Sequence, residues 1–278
     1  MSATPQTPPR RISRTLVAGA VLVAVFVLIV LARVRRSQEQ TDLLQQIKTA
    51  GGFVTHEPPP SLQERIAAYR QGAPVESNYT AVSLYTSDIN GDWLQAHDDL
   101  SELQITDLTL AETAFTDAEL ARFVSTHPLE FVNFRAEHVG DATIAALAGR
   151  PQLRLLQIRQ SPLTDEQFSR LPLEQLEELR IDETGITPVG LQELRRARKL
   201  VLLIIDGHQF DASTASLLAG LPAFRQIELA GEAVTDDHLA MLPAIAALEF
   251  VTLNRTAVTE EGLKSLRSAL PMCEVSTR

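Results

Sequence analysis

Residues 153–165 read LRLLQIRQSPLTD, with leucine or isoleucine at positions 153, 156 and 158. Side chains two residues apart on a strand face the same side, so Leu156 and Ile158 are predicted to point together into a core. Thr164 then offers a side-chain oxygen that can accept a hydrogen bond from the first turn of a helix. This stretch therefore predicts a short strand, a turn and the start of a helix.

The same pattern recurs seven times at nearly constant spacing. The seven units begin at Ile105, Leu129, Leu153, Leu176, Leu200, Phe224 and Leu248, which are 24, 24, 23, 24, 24 and 24 residues apart. A weaker copy begins near Tyr79 and a partial one at Met272. One such unit buries little of its apolar face alone, whereas stacked units share a continuous core. We therefore predict an α/β solenoid with a parallel sheet on its concave side and helices on its convex side.

Each unit also carries a helix-start signal about five residues after its strand. The predicted N-cap residues are Thr116, Thr164, Thr187, Asp211, Thr235 and Thr259. Pro188 suits the first position of a helix. Inward-facing apolar residues should follow in each helix, at Leu120, Ile144, Phe168, Leu191, Leu217, Leu239 and Leu263.

The consensus L-x-x-L-x-L-x-x-T-x-I-T-D-x-x-L resembles the leucine-rich-repeat family in its bacterial form, in which threonine often replaces asparagine, as at Thr113, Thr184 and Thr256. Residues 47–54 (IKTAGGFV) are also similar to the lead-in of such proteins. The resemblance covers about residues 79–275 and implies a leucine-rich-repeat solenoid that binds proteins and has no shared catalytic residues. Three residues depart from the threonine pattern, so a side-chain ladder should be interrupted there: Glu137, His208 and Glu232.

The N-terminus differs from the rest of the chain in charge and hydropathy. Residues 1–36 carry six arginines and no acid, and the 18 residues 15–32 are uncharged and mostly apolar. A helix of 18 residues spans about 27 Å, close to the roughly 30 Å of a bilayer core. We therefore predict a basic tail over residues 1–14 and a single-pass transmembrane anchor over residues 15–32.

A cleaved signal peptide is the alternative for this segment, because Val30-Leu31-Ala32 resembles a peptidase site. The apolar run is longer than the usual 7–15 residues of a signal peptide, and Arg33 follows the site at once, which favours retention. The numbers of positive charges on the two sides of the segment are nearly equal, so they hardly favour one orientation in the membrane over the other. An N-terminal span ahead of a long domain favours a cytoplasmic N-terminus and an exported C-terminal domain.

Residues 33–78 connect the predicted anchor to the repeats. Leu43, Leu44 and Ile47 have helical spacing, and Pro58-Pro59-Pro60 forms an extended break. These features predict a stalk with a small N-terminal cap, with a partly flexible linker as the alternative. The leucine-rich-repeat domain is assigned to residues 79–278.

The outward strand positions form three columns across the predicted sheet. In their middle, four large apolar residues are expected to be exposed beside three arginines, which is the composition of a binding hot spot. The predicted partner-binding residues are Phe131, Arg135, Leu155, Arg159, Arg180, Asp182, Leu202, Ile204 and Asp206. The alternative is a solvated face on which Arg159 pairs with Asp182.

Composition limits the function classes. Residues 37–278 hold 19 basic and 35 acidic side chains, a net charge of −16 that repels nucleic acid. No His-Glu-x-x-His, phosphate-loop or Gly-x-Ser-x-Gly motif occurs, so we predict no catalytic, cofactor or metal residues. His208 and His238 are interpreted as surface residues, and Cys273 as a small buried hydrophobe with a reactive thiol as its alternative.

The sequence thus predicts a non-enzymatic, membrane-anchored interaction scaffold that binds a protein or peptide on its concave face. The alternative function is an envelope structural or glycan-binding protein. Such a protein should be rich in surface aromatics, and aromatic residues make up only 5% of this chain.

Overall fold

The computed structural model describes Gln45 and Asp92 together with residues 47–48, 52–56, 80–85, 105–135 and 137–278. The chain divides into two compact units, residues 1–46 and 47–278, and every strand and helix given below belongs to the second. The predicted tail and anchor, and most of the predicted stalk, lie outside the described residues. None of the helices in the described part combines the length and apolar composition that a bilayer span requires.

A single sheet of ten strands runs through the described part of the second unit, with its strands in chain order. The strands are β1 (Phe53–His56), β2 (Thr80–Leu84), β3 (Ile105–Ala111), β4 (Phe131–Arg135), β5 (Leu155–Arg159), β6 (Glu178–Arg180), β7 (Leu202–Asp206), β8 (Gln226–Ala230), β9 (Phe250–Asn254) and β10 (Glu274–Thr277). β1 pairs with β2 in antiparallel orientation, and the nine strands from β2 to β10 are parallel to one another.

One α-helix lies between each pair of consecutive strands from β3 onward. The helices are α1 (Asp117–Thr126), α2 (Asp141–Ala148), α3 (Asp165–Ser169), α4 (Pro188–Leu191), α5 (Ala212–Ala219), α6 (Asp236–Met241) and α7 (Glu260–Ala269). Short 3-10 segments lie at Leu173–Gln175, Gln192–Arg196, Gly207–Gln209 and Leu242–Ala244. This repeated strand-and-helix order confirms the α/β repeat solenoid, and its parallel sheet fits the leucine-rich-repeat fold.

The strand register places equivalent residues of successive units side by side. Phe131 pairs with Leu155, and Leu155 pairs with Glu178 in the next strand. On the opposite face, Val132, Leu156 and Leu179 form a matching column that is completely buried. The predicted division into inward and outward positions is therefore confirmed across these strands.

Helix starts follow the predicted capping chemistry. The Thr116 and Thr164 hydroxyls each accept a hydrogen bond from the backbone N–H three residues later. The side chain of that later residue, Glu119 or Gln167, accepts the backbone N–H of the threonine. In α6 the residue that accepts the N-cap N–H is His238, whose Nδ1 accepts the Thr235 N–H at 3.1 Å. The other ring nitrogen, Nε2, lies 3.1 Å from the Gly207 carbonyl oxygen and donates to it. His238 is therefore a half-buried capping residue that joins two units rather than a simple surface substitution.

The predicted inward-facing residue of α5, Leu217, was wrong. Leu217 is only half-buried, whereas Ala215 and Leu218 are buried. In the other units the inward residue stands four positions after the N-cap, and Ala215 stands four positions after the N-cap Asp211. Leu218 stands seven positions after the N-cap, where the equivalent residue is buried in the other units as well.

Adjacent units are joined by an acid at the start of a helix. Asp117 accepts hydrogen bonds from three backbone amides at the start of α2: Gly140, Ala142 and Thr143, at 2.9, 2.9 and 3.0 Å. Asp165 accepts the N–H and hydroxyl of Thr187, and Asp236 accepts the same two groups of Thr259. Each carboxylate thus satisfies donors at the start of the next helix.

The three departures from the threonine pattern differ in whether they interrupt the ladder. Glu137 does not interrupt it, because its buried carboxylate reaches back and accepts both the N–H and the hydroxyl of Thr113, at 2.8 and 2.5 Å. His208 and Glu232 are exposed. Beside His208, the buried Gln209 amide takes over the ladder by donating to the Ile181 carbonyl and the Thr184 hydroxyl.

Candidate functional site

A cleft of about 360 Å³ lies where strands β4 to β9 end, and we call it the arginine cleft. It is lined by Arg135, Arg159, Gln160, Arg180, Asp182, Glu183, Asp206, Ala230, Gly231, Asn254 and Arg255. Five of the nine predicted site residues are in this set. The structure therefore brings together the charged half of the predicted site, which the three-column pattern placed at the strand ends.

Four residues with left-handed backbone conformation line the cleft. Gln160, Glu183 and Arg255 have φ of 52°, 56° and 51°, and Gly231 has φ of 89°. Each of these residues immediately follows the last outward position of its unit. A non-glycine residue in this conformation costs about 1–2 kcal/mol, so the turns at Gln160, Glu183 and Arg255 hold a strained backbone beside the cleft.

A chain of polar contacts crosses four units along one side. Arg135 forms an ion pair with Glu112 at 2.8 Å, and its Nε donates to Gln160 Oε1 at 3.3 Å. The Gln160 amide in turn donates to Glu183 Oε2 at 2.9 Å. Arg135 and Glu112 are both exposed, so this ion pair contributes at most about 1 kcal/mol to stability.

The Asp182 carboxylate pairs with Arg180 and not with Arg159. Arg180 Nε and Nη2 donate to the two Asp182 oxygens at 2.5 and 3.1 Å, in a two-point geometry. Both side chains are largely removed from solvent, at 15% and 5% exposure. The alternative in which Arg159 pairs with Asp182 was therefore wrong, because Asp182 turns back to an arginine of its own unit.

Arg159 differs from the arginines on either side of it. It is half-buried, and its Nε is shielded from solvent without a hydrogen-bond partner. No ion pair to Arg159 is formed by the residues that the structure describes. Burial lowers the pKa of Arg159 from its ordinary value, and the neighbouring Arg180 charge lowers that pKa further, against the Asp182 and Glu183 charges, which raise it.

Asp206 adds a negative charge to the cleft lining. Its buried carboxylate accepts the Glu183 N–H at 2.5 Å. Burial raises the pKa of Asp206, and the nearby Asp182 charge acts in the same direction, against the hydrogen bond from Glu183. His208 Nδ1 lies 3.8 Å from Asp206 Oδ2. The cleft therefore has charges of both signs within a few residues.

The apolar half of the predicted site is less exposed than expected. Leu155, Leu202 and Ile204 are 5%, 3% and 0% exposed, and Phe131 is half-buried. Strand pairing places Leu202 between Glu178 and Gln226, and Ile204 between Arg180 and Glu228. Paired residues on adjacent strands are about 5 Å apart, so these longer side chains flank the aliphatic ones. The expectation of an open apolar patch at these three residues was wrong.

Gln160, Glu183, Asn254 and Arg255 line the cleft but were absent from the predicted set. A signal for three of them was present in the sequence, since Gln160, Glu183 and Arg255 share the position directly after the third column. That position is glycine in two units, at Gly207 and Gly231, and Gly231 has the left-handed conformation that glycine adopts readily. No group of three potential metal ligands occurs among the described residues.

No family model and no curated protein sequence matches the chain. Among solved structures, a protein of Bacteroides fragilis is similar with a TM-score of 0.48 and 14% identity, over 68% of this chain and 60% of that protein. An internalin of Listeria monocytogenes is similar with a TM-score of 0.42 and 17% identity, over 79% of this chain and 68% of the internalin. Internalin C2 of the same organism has a TM-score of 0.39 and 16% identity, over 79% of this chain and 93% of its own.

Proposed function

We propose that this protein is a non-enzymatic interaction scaffold that binds a protein or peptide on the concave face of its repeats, around the arginine cleft. The observation that supports this most is the cleft itself, which gathers side chains from six successive units in one place. Arginine at the centre of a partly desolvated surface is typical of binding hot spots. The resemblance of the repeats to leucine-rich-repeat scaffolds points in the same direction.

Selection of displayed peptides on the purified full chain in detergent would test this function. We expect enriched peptides to bind the wild-type chain and to lose most of their affinity for a variant carrying Phe131→Ala, Arg135→Ala and Arg159→Ala. Leu155 is left unchanged because it is buried and its removal would disturb the core.

The matched control removes a similar amount of side chain from other exposed positions, by Val189→Ala, Arg195→Ala and Arg198→Ala. This variant should bind the selected peptides like the wild type. Equal binding by the wild type and the variant with Phe131→Ala, Arg135→Ala and Arg159→Ala would place the interaction elsewhere and contradict the proposal.

Membrane anchoring through residues 15–32 is part of the same proposal, with the repeat domain exported. The uncharged run of residues 15–32 between two arginine clusters supports it. The full chain should resist alkaline extraction from membranes, whereas a chain lacking residues 15–32 should be released. Protease added to cells with a permeabilised outer membrane should digest the repeat domain, and its survival in unlysed cells would contradict export.

A further inference from the structure

We propose that Arg159 is the anchor for a carboxylate of the bound peptide. This inference rests on the proposed function, because it names the chemical group that the concave face recognises. It concerns one side chain among the several that line the cleft, so it is testable apart from peptide binding in general.

The distribution of charge among the arginines singles out this side chain. Arg135 and Arg159 are paired residues on adjacent strands, so two like charges stand side by side on this face. Arg135 has the Glu112 carboxylate, and Arg180 has the Asp182 carboxylate. Arg159 forms no ion pair among the described residues, although the Asp182 and Glu183 charges act on it from a distance, and like charges directly opposite each other destabilise a sheet. A carboxylate from a partner would give Arg159 the close ion-pair partner that the neighbouring arginines already have.

Burial makes this guanidinium ready to bind. A fully hydrated arginine must lose water before it pairs, which cancels much of the attraction. Arg159 is half-buried, and its Nε is already shielded from water without a partner. Folding has therefore removed part of its hydration in advance, and a pre-organised donor binds an anion with less loss.

A carboxylate fits the surroundings better than a phosphate. The cleft lining contains four arginines and three acids, and Glu112 outside the lining pairs with Arg135, so the surroundings hold no excess positive charge for a doubly charged anion. Asp182, Glu183 and Asp206 would repel the second charge of a phosphate. The planar guanidinium also matches the two oxygens of a carboxylate. A volume of about 360 Å³ exceeds one carboxyl group and accommodates the residue that carries it.

Two sets of synthetic peptides distinguish a chain terminus from an acidic side chain as the source. One set has free C-termini and no Asp or Glu, and the other has amidated C-termini and internal Asp or Glu. Binding to the purified full chain is measured by fluorescence anisotropy. We expect one of the two sets to bind. The same peptides made without their carboxylate should bind at least about 10-fold more weakly, since a charge-assisted pair is lost.

Substitutions of Arg159 then assign that difference to one side chain. Arg159→Gln should weaken binding at least about 10-fold and abolish the preference for carboxylate peptides, whereas Arg159→Lys should keep part of the preference because it keeps the charge. The control Arg195→Gln, at an exposed arginine outside the cleft, should change neither the affinity nor the preference for carboxylate peptides. Thermal unfolding of each variant verifies that it folds.

If peptides bind Arg159→Gln like the wild type, or bind equally without a carboxylate, the inference is overturned while the proposed function stands. If no peptide binds at all, titration with N-acetylalanine decides the question independently, with its amide as control. A saturable shift of the Arg159 Nε–Hε resonance with the acid alone supports the carboxylate site, and the absence of such a shift overturns it.

Discussion

Gly190 occupies a position where a methyl group has no room. A Cβ added there would lie 2.1 Å from Asp165 Oδ1, and the same carboxylate accepts two hydrogen bonds from Thr187. Gly190→Ala should therefore displace Asp165 and destabilise the fold by about 1–3 kcal/mol. Urea unfolding followed by circular dichroism measures this loss, and Gly262→Ala beside Asp236 should act in the same direction.

Gly149→Ala is the matched control, because the nearest atom to its added Cβ lies at an ordinary contact distance of 3.5 Å. Gly149 has a φ of −77°, which alanine adopts without strain, so this substitution should leave stability unchanged or raise it slightly. Equal urea midpoints for Gly190→Ala and Gly149→Ala would show that the Asp165 contact is unimportant.

Glu137 gives the stability of the protein a pH dependence. Burial raises the pKa of Glu137 above its ordinary value of 4.5, against the hydrogen bonds from Thr113. The folded state then holds its proton to higher pH than the unfolded state, so stability falls as pH rises from about 4.5 through the raised folded value. Glu137→Gln removes this fall, because a neutral amide still accepts the Thr113 N–H and donates to its hydroxyl.

Urea midpoints measured from pH 4 to pH 8 test this prediction. The stability of Glu137→Gln relative to the wild type should increase across that range, and parallel profiles for the two proteins would contradict the assignment. Thr113→Ser keeps both donors and serves as a control that should retain the wild-type profile.

At the scale of the elements, Asp117 joins helix α1 to helix α2. Burial raises its pKa, but the hydrogen bonds from Thr143, Ala142 and Gly140 outweigh burial and leave the pKa of Asp117 below its ordinary value of 3.8. Its stabilisation is therefore present above pH 3.8 and is lost as pH falls through the folded value. Asp117→Ala should cost about 1–2 kcal/mol at neutral pH, as does the loss of a helix cap.

Asp141 is a control at the equivalent position of α2. It bonds to the side chains of Gln167 and Arg170 and not to the backbone of α3. Asp141→Ala should therefore shift the urea midpoint less than Asp117→Ala at neutral pH. The reverse order would show that the side-chain contacts of Asp141 matter more than the backbone links of Asp117.

The elements and their register could be predicted from sequence because both depend on local periodicity. The alternation of Leu156 and Ile158 fixes which face is buried, and the repeat spacing fixes which residues become neighbours. The pairing of Arg180 with Asp182, and the burial of Ile204, depend on side-chain rotamers and on the neighbours in adjacent strands. Side-chain rotamers and neighbours depend on tertiary packing, so the sequence predicted that the charged residues would lie together but did not predict the burial of Leu155, Leu202 and Ile204.

At the scale of the whole molecule, β10 closes one end of the described sheet. It pairs with Phe250–Leu253 of β9, and the Arg278 backbone bonds to Arg255 and Leu253. Deleting residues 271–278 would leave β9 as a bare edge, which is a template for pairing with another chain. We expect a lower urea midpoint and concentration-dependent self-association in analytical ultracentrifugation.

Met272→Ser is the control for this deletion, because it alters the same segment at an exposed side chain and leaves β10 in place. It should remain as stable and as monodisperse as the wild type. A truncated chain with unchanged stability would mean that β10 does not protect the end of the sheet.

The strict chain-order arrangement of the strands also determines how the molecule responds to mechanical load. Each strand of the described sheet neighbours the strands before and after it in sequence, so the interfaces lie in series, carry the same tension and yield one after another, the weakest first. The repeat units should therefore unfold one at a time, and each unit of 24 residues would release roughly 80 Å of extended chain.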